Sequence, residues 1–200
     1  MNKKQKVYLP FKRLIDIIVS IICIPICLVF FWWWIFIINL VVSKGHPFFA
    51  QRRYGRNNKV FRILKFRTMK CDADSYLPPS DMDGLTQYNM ETGFGHFLRK
   101  TQLDETLQLF NILVGQMSFV GPRPGAAKNE DNLVIKREKL SKDIYSLRPG
   151  LTGLAQIELN ENKHDPKLKA EKDYEYLKNV SFTLDIKIFL KTLFKFFIRY

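Results

Sequence analysis

Residues 98–124, LRKTQLDETLQLFNILVGQMSFVGPRP, decide how the rest of the chain is interpreted. The stretch holds two adjacent acids, Asp104 and Glu105, and ends in a glycine-proline turn that carries Arg123. Adjacent side chains leave a helix about 100° apart, so the two carboxylates can share the mouth of a site without pointing at the same atom. Apolar residues at helical spacing predict one buried helix face. These residues are Leu103, Leu107, Phe110, Leu113 and Val114.

The net charge of +13 is concentrated in the first third of the chain. Residues 1–71 hold 14 basic residues and one acid, Asp16, whereas residues 72–200 hold 18 of each sign. The basic residues flank an apolar run, and this placement favours an anionic membrane over nucleic acid as the partner. The composition, 46% hydrophobic, is ample for a core. The three cysteines fit neither a disulfide framework nor a zinc site.

The apolar run covers residues 17–38 and is interrupted only by a serine and Pro25. It is too long for a secretory signal peptide, and no small-residue cleavage site follows it. Its length is sufficient for a spanning helix. Basic residues on both flanks, together with Pro25, favour instead a helix-break-helix hairpin that enters one leaflet and returns. Because proline is tolerated in spanning helices, the residues alone leave both topologies open.

Asp16 stands at the start of the apolar run, where an ionised side chain in hydrocarbon is costly. We therefore expect it at the membrane interface or paired with Lys12 or Arg13. Residues 44–71 carry nine basic residues and no acid. They are expected to face the membrane and to grip a diphosphate, with Lys65 and Arg67 as candidates. FRILKFRTM, residues 61–69, predicts a short buried strand.

Residues 72–97 are predicted to form a loop region, with a short helix within it as an alternative. Its four aspartates, Asp72, Asp74, Asp81 and Asp83, match no calcium-loop pattern and indicate a solvated loop. Residues 125–147 are predicted to be helical and charged.

In LRPGLTGLAQ, residues 147–156, two glycines and a proline predict a tight turn whose backbone closely approaches another group. A hairpin and a ligand-lining loop beside Arg148 both explain this pattern. Residues 165–178 predict a helix with Asp165 as its cap and Pro166 at its first position. Residues 181–200 form a basic, aromatic-rich amphipathic pattern that favours a membrane-interface helix, with packing on the core as the alternative.

The residues support phosphoryl chemistry better than other reactions. No Walker loop, GxGxxG, HExxH or GxSxG motif occurs. An acid pair near Arg99 and Arg123 can supply one carboxylate to attack phosphorus or hold a cation, while the guanidiniums neutralise phosphate oxygens. Magnesium is the natural metal, because it takes one or two carboxylates and completes its shell with phosphate and water. By itself, however, an Asp-Glu dipeptide is usually a solvated helix face.

Six segments together resemble the bacterial sugar transferases, specifically the small monotopic phosphoglycosyl transferases of glycoconjugate initiation. The segments follow the family's order and cover nearly the whole chain, and GPRP after an Asp-Glu pair is specific. They are KRLID (12–16), GHPFFAQRRYGR (45–56), KFRTM (65–69), LRKTQLDE (98–105), GQMSFVGPRP (115–124) and RPGLTGLAQ (148–156).

The resemblance implies a mostly helical α+β fold in two parts. Residues 1–43 would form the basic N-terminus and a re-entrant membrane helix broken at Pro25. Residues 44–200 would form a catalytic domain ending in an interfacial helix. The protein would be monotopic in the bacterial inner membrane, with the catalytic domain on the cytoplasmic face.

The resemblance also implies a reaction. Asp104 would attack the β-phosphate of a nucleotide diphosphate sugar, usually a UDP-sugar, and expel UMP. A polyprenyl phosphate would then take the sugar phosphate from the aspartyl intermediate. Glu105, with Asp104, would bind Mg²⁺, and Arg99 and Arg123 would hold phosphates. Further candidate substrate-binding residues are Lys65, Arg67 and Arg148. A homodimer remains open.

The chain departs from the family at a few positions. Thr106 replaces the usual leucine, Gln116 a common aspartate, and Ile24 the serine that some members have before the proline. IELNENKH, residues 157–164, lacks an aromatic-glycine-arginine pattern, so the sugar is the least determined part. Two other function classes remain: a membrane-tethered basic binding module and a silent scaffold of a glycan-assembly complex.

Overall fold

The computed structural model describes residues 3–43, 45–70, 91–125, 132–159 and 165–198. These residues confirm a mostly helical chain with a small amount of sheet. The α-helices are α1 (Lys3–Cys27), α2 (Trp33–Val42), α3 (Gly93–Lys100), α4 (Gln108–Leu113), α5 (Asn132–Leu140), α6 (Leu154–Glu158), α7 (Pro166–Asn179) and α8 (Phe182–Ile198). The strands are β1 (Phe48–Tyr54), β2 (Val60–Phe66), β3 (Ser118–Val120) and β4 (Gly150–Thr152). Short 3-10 turns cover Arg56–Asn58, Leu103–Glu105 and Lys142–Ser146.

The chain divides into two compact units. The first unit comprises residues 1–20, 52–62 and 111–200, and the second unit comprises residues 21–51 and 63–110. This partition is based on contacts within the protein. The predicted division into residues 1–43 and 44–200 separates a membrane segment from a catalytic domain, and that division stays a prediction.

The N-terminal segment is one long apolar helix. Residues 3–42 are helical throughout, with a π-helical stretch at Leu28–Trp32 between α1 and α2. Of the described residues, this helix alone is long and apolar enough to cross a membrane. The break expected at Pro25 is not an interruption of helical structure, since Cys27 and Trp33 both keep helical backbone angles. Proline lacks an N–H donor, and the π-helical stretch close behind it is where the hydrogen-bond ladder changes spacing.

The first unit is built around strands β3 and β4, which pair in parallel with Ser118 opposite Gly150 and Val120 opposite Thr152. A Cβ on Gly150 would lie 2.2 Å from the Gly121 nitrogen, so only glycine allows this approach. The hairpin considered for residues 147–156 is therefore wrong. The close backbone approach itself is confirmed, and its partner is the start of GPRP.

The core of the first unit packs against β3 and β4. It contains Val120, Ile144, Leu147, Leu154, Tyr176, Leu177, Val180 and Ile188. Helix α7 begins as predicted, with the Asp165 side chain accepting a hydrogen bond from the Lys167 N–H at 2.7 Å and Pro166 in the first turn. The helical prediction for residues 125–147 is confirmed over α5 and the Lys142–Ser146 turn, and residues 126–131 lie outside the described part.

A buried carboxylate, Asp185, joins α8 to α1 and α7. It accepts hydrogen bonds from the Tyr8 hydroxyl at 2.7 Å and the Tyr176 hydroxyl at 2.6 Å, and it forms an ion pair with Lys12. Helix α8 therefore packs one face on the core, as the alternative reading required. Its other face exposes large apolar side chains, including Phe194. The membrane-interface placement of that face stays a prediction.

Asp16 forms no salt bridge with Lys12 or Arg13, although the charges of both act on it, and its placement at the membrane interface stays a prediction. Asp16 is 3% exposed, and its carboxylate accepts a hydrogen bond from the Phe119 N–H at 3.2 Å. Lys12, one of its two predicted partners, pairs with Asp185 instead. The helix therefore presents Asp16 to the protein, because a backbone N–H there can satisfy a carboxylate that hydrocarbon cannot.

The second unit is held together by aromatic and amide contacts from α2. The buried Asn39 side chain donates hydrogen bonds to the carbonyls of Pro47 and Arg67 at 3.1 and 2.7 Å. The rings of Phe48 and Phe66 lie 5.8 Å apart. Since Phe66 ends β2, these contacts fix the end of the strand that the sequence predicted at residues 61–69.

The prediction for residues 72–97 allowed a short helix within the loop region, and the structure has a helix, α3, that begins at Gly93 near the C-terminal end of this segment. Thr92 caps this helix by accepting a hydrogen bond from the Gly95 N–H at 2.8 Å. The four aspartates of this segment and Cys71 lie outside the described residues.

Candidate active site

The acid pair lies on the 3-10 turn Leu103–Glu105, between α3 and α4, and not on one continuous helix. Gln102 adopts a left-handed conformation, with φ of 57°, which ends α3 and redirects the chain. The predicted apolar face is correspondingly wrong in part: Leu107 is buried, but Phe110 and Val114 are exposed. A 3-10 helix separates adjacent side chains by about 120°, so the two carboxylates point in different directions.

Asp104 is the more buried member of the pair, at 6% exposure. Burial raises its pKa to about 6, and the Glu105 carboxylate adds to the rise. Lys65 and Arg99 act in the opposite direction and favour the ionised form. The carboxylate is therefore mostly ionised at neutral pH, yet more basic than an exposed aspartate.

Glu105 is held by Lys65. The Lys65 ammonium lies 2.6 Å from a Glu105 carboxylate oxygen, and each side chain is 21% exposed. Lys65 comes from β2, so the strand that the sequence predicted carries one of the predicted site residues to the acid pair. The pairing leaves Glu105 accessible while Asp104 is enclosed.

Arg99 is fixed by two residues that the sequence analysis did not single out. Its Nε donates to the Thr68 hydroxyl at 2.9 Å, and its guanidinium forms an ion pair with Glu91. Helix α3 can approach Thr68 only because of Gly95, where a Cβ would lie 1.9 Å from the Thr68 carbonyl oxygen. The two glycines of GFGH at residues 93–96 were the available signal for such a close approach.

Trp32 is a third residue that the sequence did not reveal. Its indole N–H donates to the Thr106 hydroxyl at 2.9 Å, and Thr106 in turn donates to the Leu103 carbonyl at 2.7 Å. The Trp32 ring also lies 5.2 Å from the ring of Phe110. Thr106, the departure from the usual leucine, therefore ties the acid-bearing turn to the end of the π-helical stretch.

The remaining predicted site residues have other surroundings. Arg67, in the second unit, donates from Nε to the His46 carbonyl at 2.9 Å, and its guanidinium lies 6.0 Å from the centre of the Phe49 ring. Arg123 and Arg148 belong to the first unit. Arg148 donates from Nε to the Gly115 carbonyl at 2.9 Å. The predicted binding roles of these three arginines stay predictions.

The donor set suits a magnesium ion. The described residues contain no cluster of three or more histidine, cysteine or acidic side chains. Two adjacent carboxylates, Asp104 and Glu105, match an ion that binds one or two carboxylates and takes its other ligands from phosphate and water. The residues present therefore fit Mg²⁺.

Comparison with known proteins finds relatives that match nearly the whole chain. Residues 7–199 match the family model described as bacterial sugar transferase. The UDP-glucose:undecaprenyl-phosphate glucose-1-phosphate transferase of Klebsiella pneumoniae is 39% identical over 201 residues, covering 94% of this chain and 40% of that protein. The galactosyl transferase CpsE of Streptococcus agalactiae serotype III (strain NEM316) is 37% identical over 192 residues, covering 91% of this chain and 41% of that protein.

A third relative differs in the sugar that it is named for. The UDP-N-acetylgalactosamine-undecaprenyl-phosphate N-acetylgalactosaminephosphotransferase of Aeromonas hydrophila is 33% identical over 193 residues, covering 94% of this chain and 44% of that protein. The chain thus spans less than half the length of these curated relatives. Since the family model matches nearly all of its residues, the chain belongs to the bacterial sugar transferase family.

Proposed function

We propose that the protein transfers a sugar-1-phosphate from a UDP-sugar to a polyprenyl phosphate through a covalent intermediate on Asp104. The observation that carries this proposal is the buried Asp104 carboxylate, flanked by the Glu105–Lys65 pair and by Arg99. A carboxylate with a pKa of about 6 is ionised at neutral pH and more nucleophilic than an ordinary one. Family membership and the names of the relatives support the same substrate classes.

The proposed reaction has two displacements at one phosphorus atom. In the first, an Asp104 oxygen forms a bond to the β-phosphorus, and the bond from that phosphorus to the bridging oxygen breaks, so UMP leaves with the electron pair. In the second, a phosphate oxygen of the polyprenyl phosphate attacks the same phosphorus. The bond to Asp104 then breaks, which restores the carboxylate and yields a polyprenyl-diphosphate sugar.

The basic residues beside Asp104 have a proposed electrostatic role. Arg99 is held in place by Thr68 and Glu91, so its guanidinium need not reorganise when charge develops on the phosphate oxygens. Lys65 plays the same role from β2. Arg67, Arg123 and Arg148 are proposed to contact further phosphate oxygens of the substrates.

Mg²⁺ is the proposed cofactor, held by Glu105 with Asp104, and when bound it would neutralise diphosphate charge and improve the leaving group. The ion pair with Lys65 keeps the Glu105 carboxylate oriented. Chelation followed by return of Mg²⁺ should remove and then restore UMP release. Release that persists in excess chelator would contradict this part of the proposal.

The membrane arrangement is also proposed. The N-terminal helix would enter and leave the inner membrane on its cytoplasmic side, as the basic residues on both flanks favour. Single cysteines at Lys4 and Arg52, in a background with the native cysteines replaced by serine, test this arrangement. A membrane-impermeant maleimide should label both in inverted vesicles and neither in intact cells. Labelling from opposite sides would establish a spanning helix instead.

The decisive experiment for the chemistry is intact mass spectrometry of the full chain in nanodiscs. The protein would be incubated with Mg²⁺ and a panel of UDP-sugars, without any lipid acceptor. The expected result is a sugar-phosphate adduct located on Asp104 with UMP released, absent from Asp104→Asn and present in Asp143→Asn, an exposed control. UMP release only after polyprenyl phosphate is added would favour direct transfer. Neither adduct nor UMP under any condition would favour the silent scaffold.

A further inference from the structure

The lining of a basic cavity in the first unit contains none of the residues described around Asp104, but it includes Arg148, for which a substrate-binding role was proposed above. The cavity has a volume of about 450 Å³, and its charged lining contains five cations and one acid. The charged residues are Lys6, Lys12, Arg13, Arg56, Arg148 and Asp16. Helix α1, the Arg56–Asn58 turn and the segment before β4 supply them, so the cavity is built by sequence-distant parts of one compact unit.

Three of the cavity's cations, all arginines, are held by backbone carbonyls only. Arg13 donates to the Ile112 and Leu113 carbonyls at 2.5 and 2.7 Å, and Arg56 donates to the Ser146 carbonyl at 2.9 Å. Arg148 makes its bond to the Gly115 carbonyl. No described carboxylate forms a salt bridge with any of the three. Their side chains are thus oriented, and Asp16, the one acid of the lining, acts on Arg13 and Arg148 through its charge without forming a salt bridge.

The acids near the cavity are already engaged. Asp16 accepts its hydrogen bond from the Phe119 N–H, and Asp185 takes the charge of Lys12. The pKa of Arg148 is lowered, first by burial and then by the nearby charges of Arg13 and Arg56. Such crowding of like charges is unfavourable unless an anion is bound, and a phosphate monoester carries close to two negative charges at neutral pH.

A buried hydroxyl adds a neutral donor to the same cavity. Ser118 is 1% exposed, and its hydroxyl lies beside the Asp16 carboxylate, with which it interacts. Because a hydroxyl rotates to suit its acceptor, it can also donate to a phosphate oxygen bound in the cavity. Guanidinium groups and a hydroxyl together form the donor set that phosphate recognition uses.

The surroundings of the cavity indicate that the phosphate belongs to a lipid. The lining residues of α1 immediately precede the apolar run, and Leu9 and Pro10 contribute an apolar wall. Helices α1 and α8 meet beside it, with the Phe11 and Phe182 rings 6.2 Å apart. Both helices expose large apolar side chains there. Examples are Val7, Phe11, Leu14, Ile186, Leu190 and Phe194.

We propose that this cavity binds the phosphate headgroup of a membrane lipid, whose apolar chain lies along the exposed surface of α1 and α8. The lipid is either the polyprenyl phosphate acceptor or an anionic phospholipid, since both present the same phosphate chemistry. The inference rests on the membrane placement proposed above and not on the aspartyl intermediate. If the lipid-binding proposal fails, the aspartyl intermediate can still be tested, because adduct formation on Asp104 needs no lipid acceptor. If no adduct forms, lipid binding by the cavity can still be measured.

The test compares lipid binding by the full chain and by paired variants, using native mass spectrometry after release from detergent. The probes are undecaprenyl phosphate, phosphatidylglycerol, zwitterionic phosphatidylcholine and UMP. Arg56→Gln/Arg148→Gln removes two cavity charges, whereas Lys139→Gln/Lys142→Gln removes two charges from exposed lysines outside the cavity. Circular dichroism melting curves establish that each variant is folded. If the first pair does not fold, Lys6→Gln/Arg56→Gln replaces it, since both residues are exposed.

We expect the cavity variant to lose at least about tenfold in affinity for the phosphate-bearing lipids while the control pair keeps wild-type affinity. Tighter binding of undecaprenyl phosphate than of phosphatidylglycerol would identify the acceptor headgroup. Equal binding of the two would identify an anchoring site for anionic lipid. Equal loss in the cavity and control pairs would overturn the proposal. Cavity-dependent binding of UMP alone would overturn the lipid assignment.

Discussion

The cations of the two charged clusters in this protein have different hydrogen-bond and ion-pair partners. In the second unit, Lys65 pairs with Glu105 and Arg99 pairs with Glu91, so each cation beside Asp104 has a carboxylate partner. In the cavity of the first unit, Arg13, Arg56 and Arg148 have only backbone carbonyls. The paired cations act on the pKa of Asp104, the proposed nucleophile. The cations held by backbone carbonyls are those for which we propose an anion from outside.

The largest expected effect is the loss of activity when Asp104, the proposed nucleophile, is replaced. Asp104→Asn keeps the size of the side chain but removes the nucleophile, so product formation should fall by more than about 10³-fold. The measurement is radiolabelled sugar-phosphate transfer to polyprenyl phosphate. Asp143→Asn, at an exposed position, should retain wild-type activity. Substantial turnover in Asp104→Asn would show that the buried acid is not the nucleophile.

A second prediction sharpens the contrast between paired and unpaired arginines. Arg137 and Asp173 form an ion pair in the first unit, and each side chain is 2% exposed. Asp173→Ala should lower the free energy of unfolding by about 3–5 kcal/mol, because it leaves a buried guanidinium without its counter-charge. Arg56→Gln, at an exposed cavity position, should change it by less than about 0.5 kcal/mol. Denaturant unfolding in detergent measures both, and comparable losses would contradict the distinction.

A third prediction concerns how much burial of the Asp104 carboxylate lowers the free energy of unfolding. Its pKa in the folded chain, about 6, lies above the ordinary value near 4, so folding favours its protonated form. The ionised carboxylate therefore destabilises the fold above pH 6, by at most about 3 kcal/mol, and this cost disappears as the pH falls through 6 towards 4.

Asp104→Asn should consequently melt at a higher temperature than the wild type at pH 8, and the difference should shrink at pH 4.5. Thermal unfolding across this range is the measurement, with Asp143→Asn as the control. A difference that does not depend on pH would mean that another effect of the substitution dominates.

The smallest expected effect tests the pairing around Asp104. Formation of the adduct should decline by about tenfold per pH unit below about pH 6, because protonation removes the nucleophile. Lys65→Gln removes a charge that favours the ionised form, so it should move this decline to higher pH by less than about one unit. Lys70→Gln, an exposed lysine of the same unit, should leave it in place. An unmoved profile in Lys65→Gln would indicate that the pair serves structure only.

Local patterns in the sequence predicted individual elements well. The cap of α7 at Asp165, strand β2 and the amphipathic character of α8 all follow from spacing and residue type. The acid pair and Lys65 were also identified as site residues, and the structure brings them together. Such features depend on neighbours within a turn or a strand, which a sequence displays directly.

Contacts between distant residues could not be predicted in the same way. Glu91 and Thr68 hold Arg99, and Trp32 donates to Thr106 at the end of the acid-bearing turn, although the sequence of their own segments shows no such partner. The parallel pairing of β3 with β4 was equally hidden, because parallel neighbours need not be close in sequence.

The sequence by itself determined the family, the candidate site residues and the long apolar helix, since these depend on residue identity and short-range order. Only the tertiary structure decided which carboxylate is enclosed and which cations keep a free charge. Burial raises the pKa of Asp104, and carbonyl contacts orient Arg13, Arg56 and Arg148 without neutralising them. Both effects arise from the solvent that folding removes and from the partners that it supplies, and neither is a property of any stretch of sequence alone.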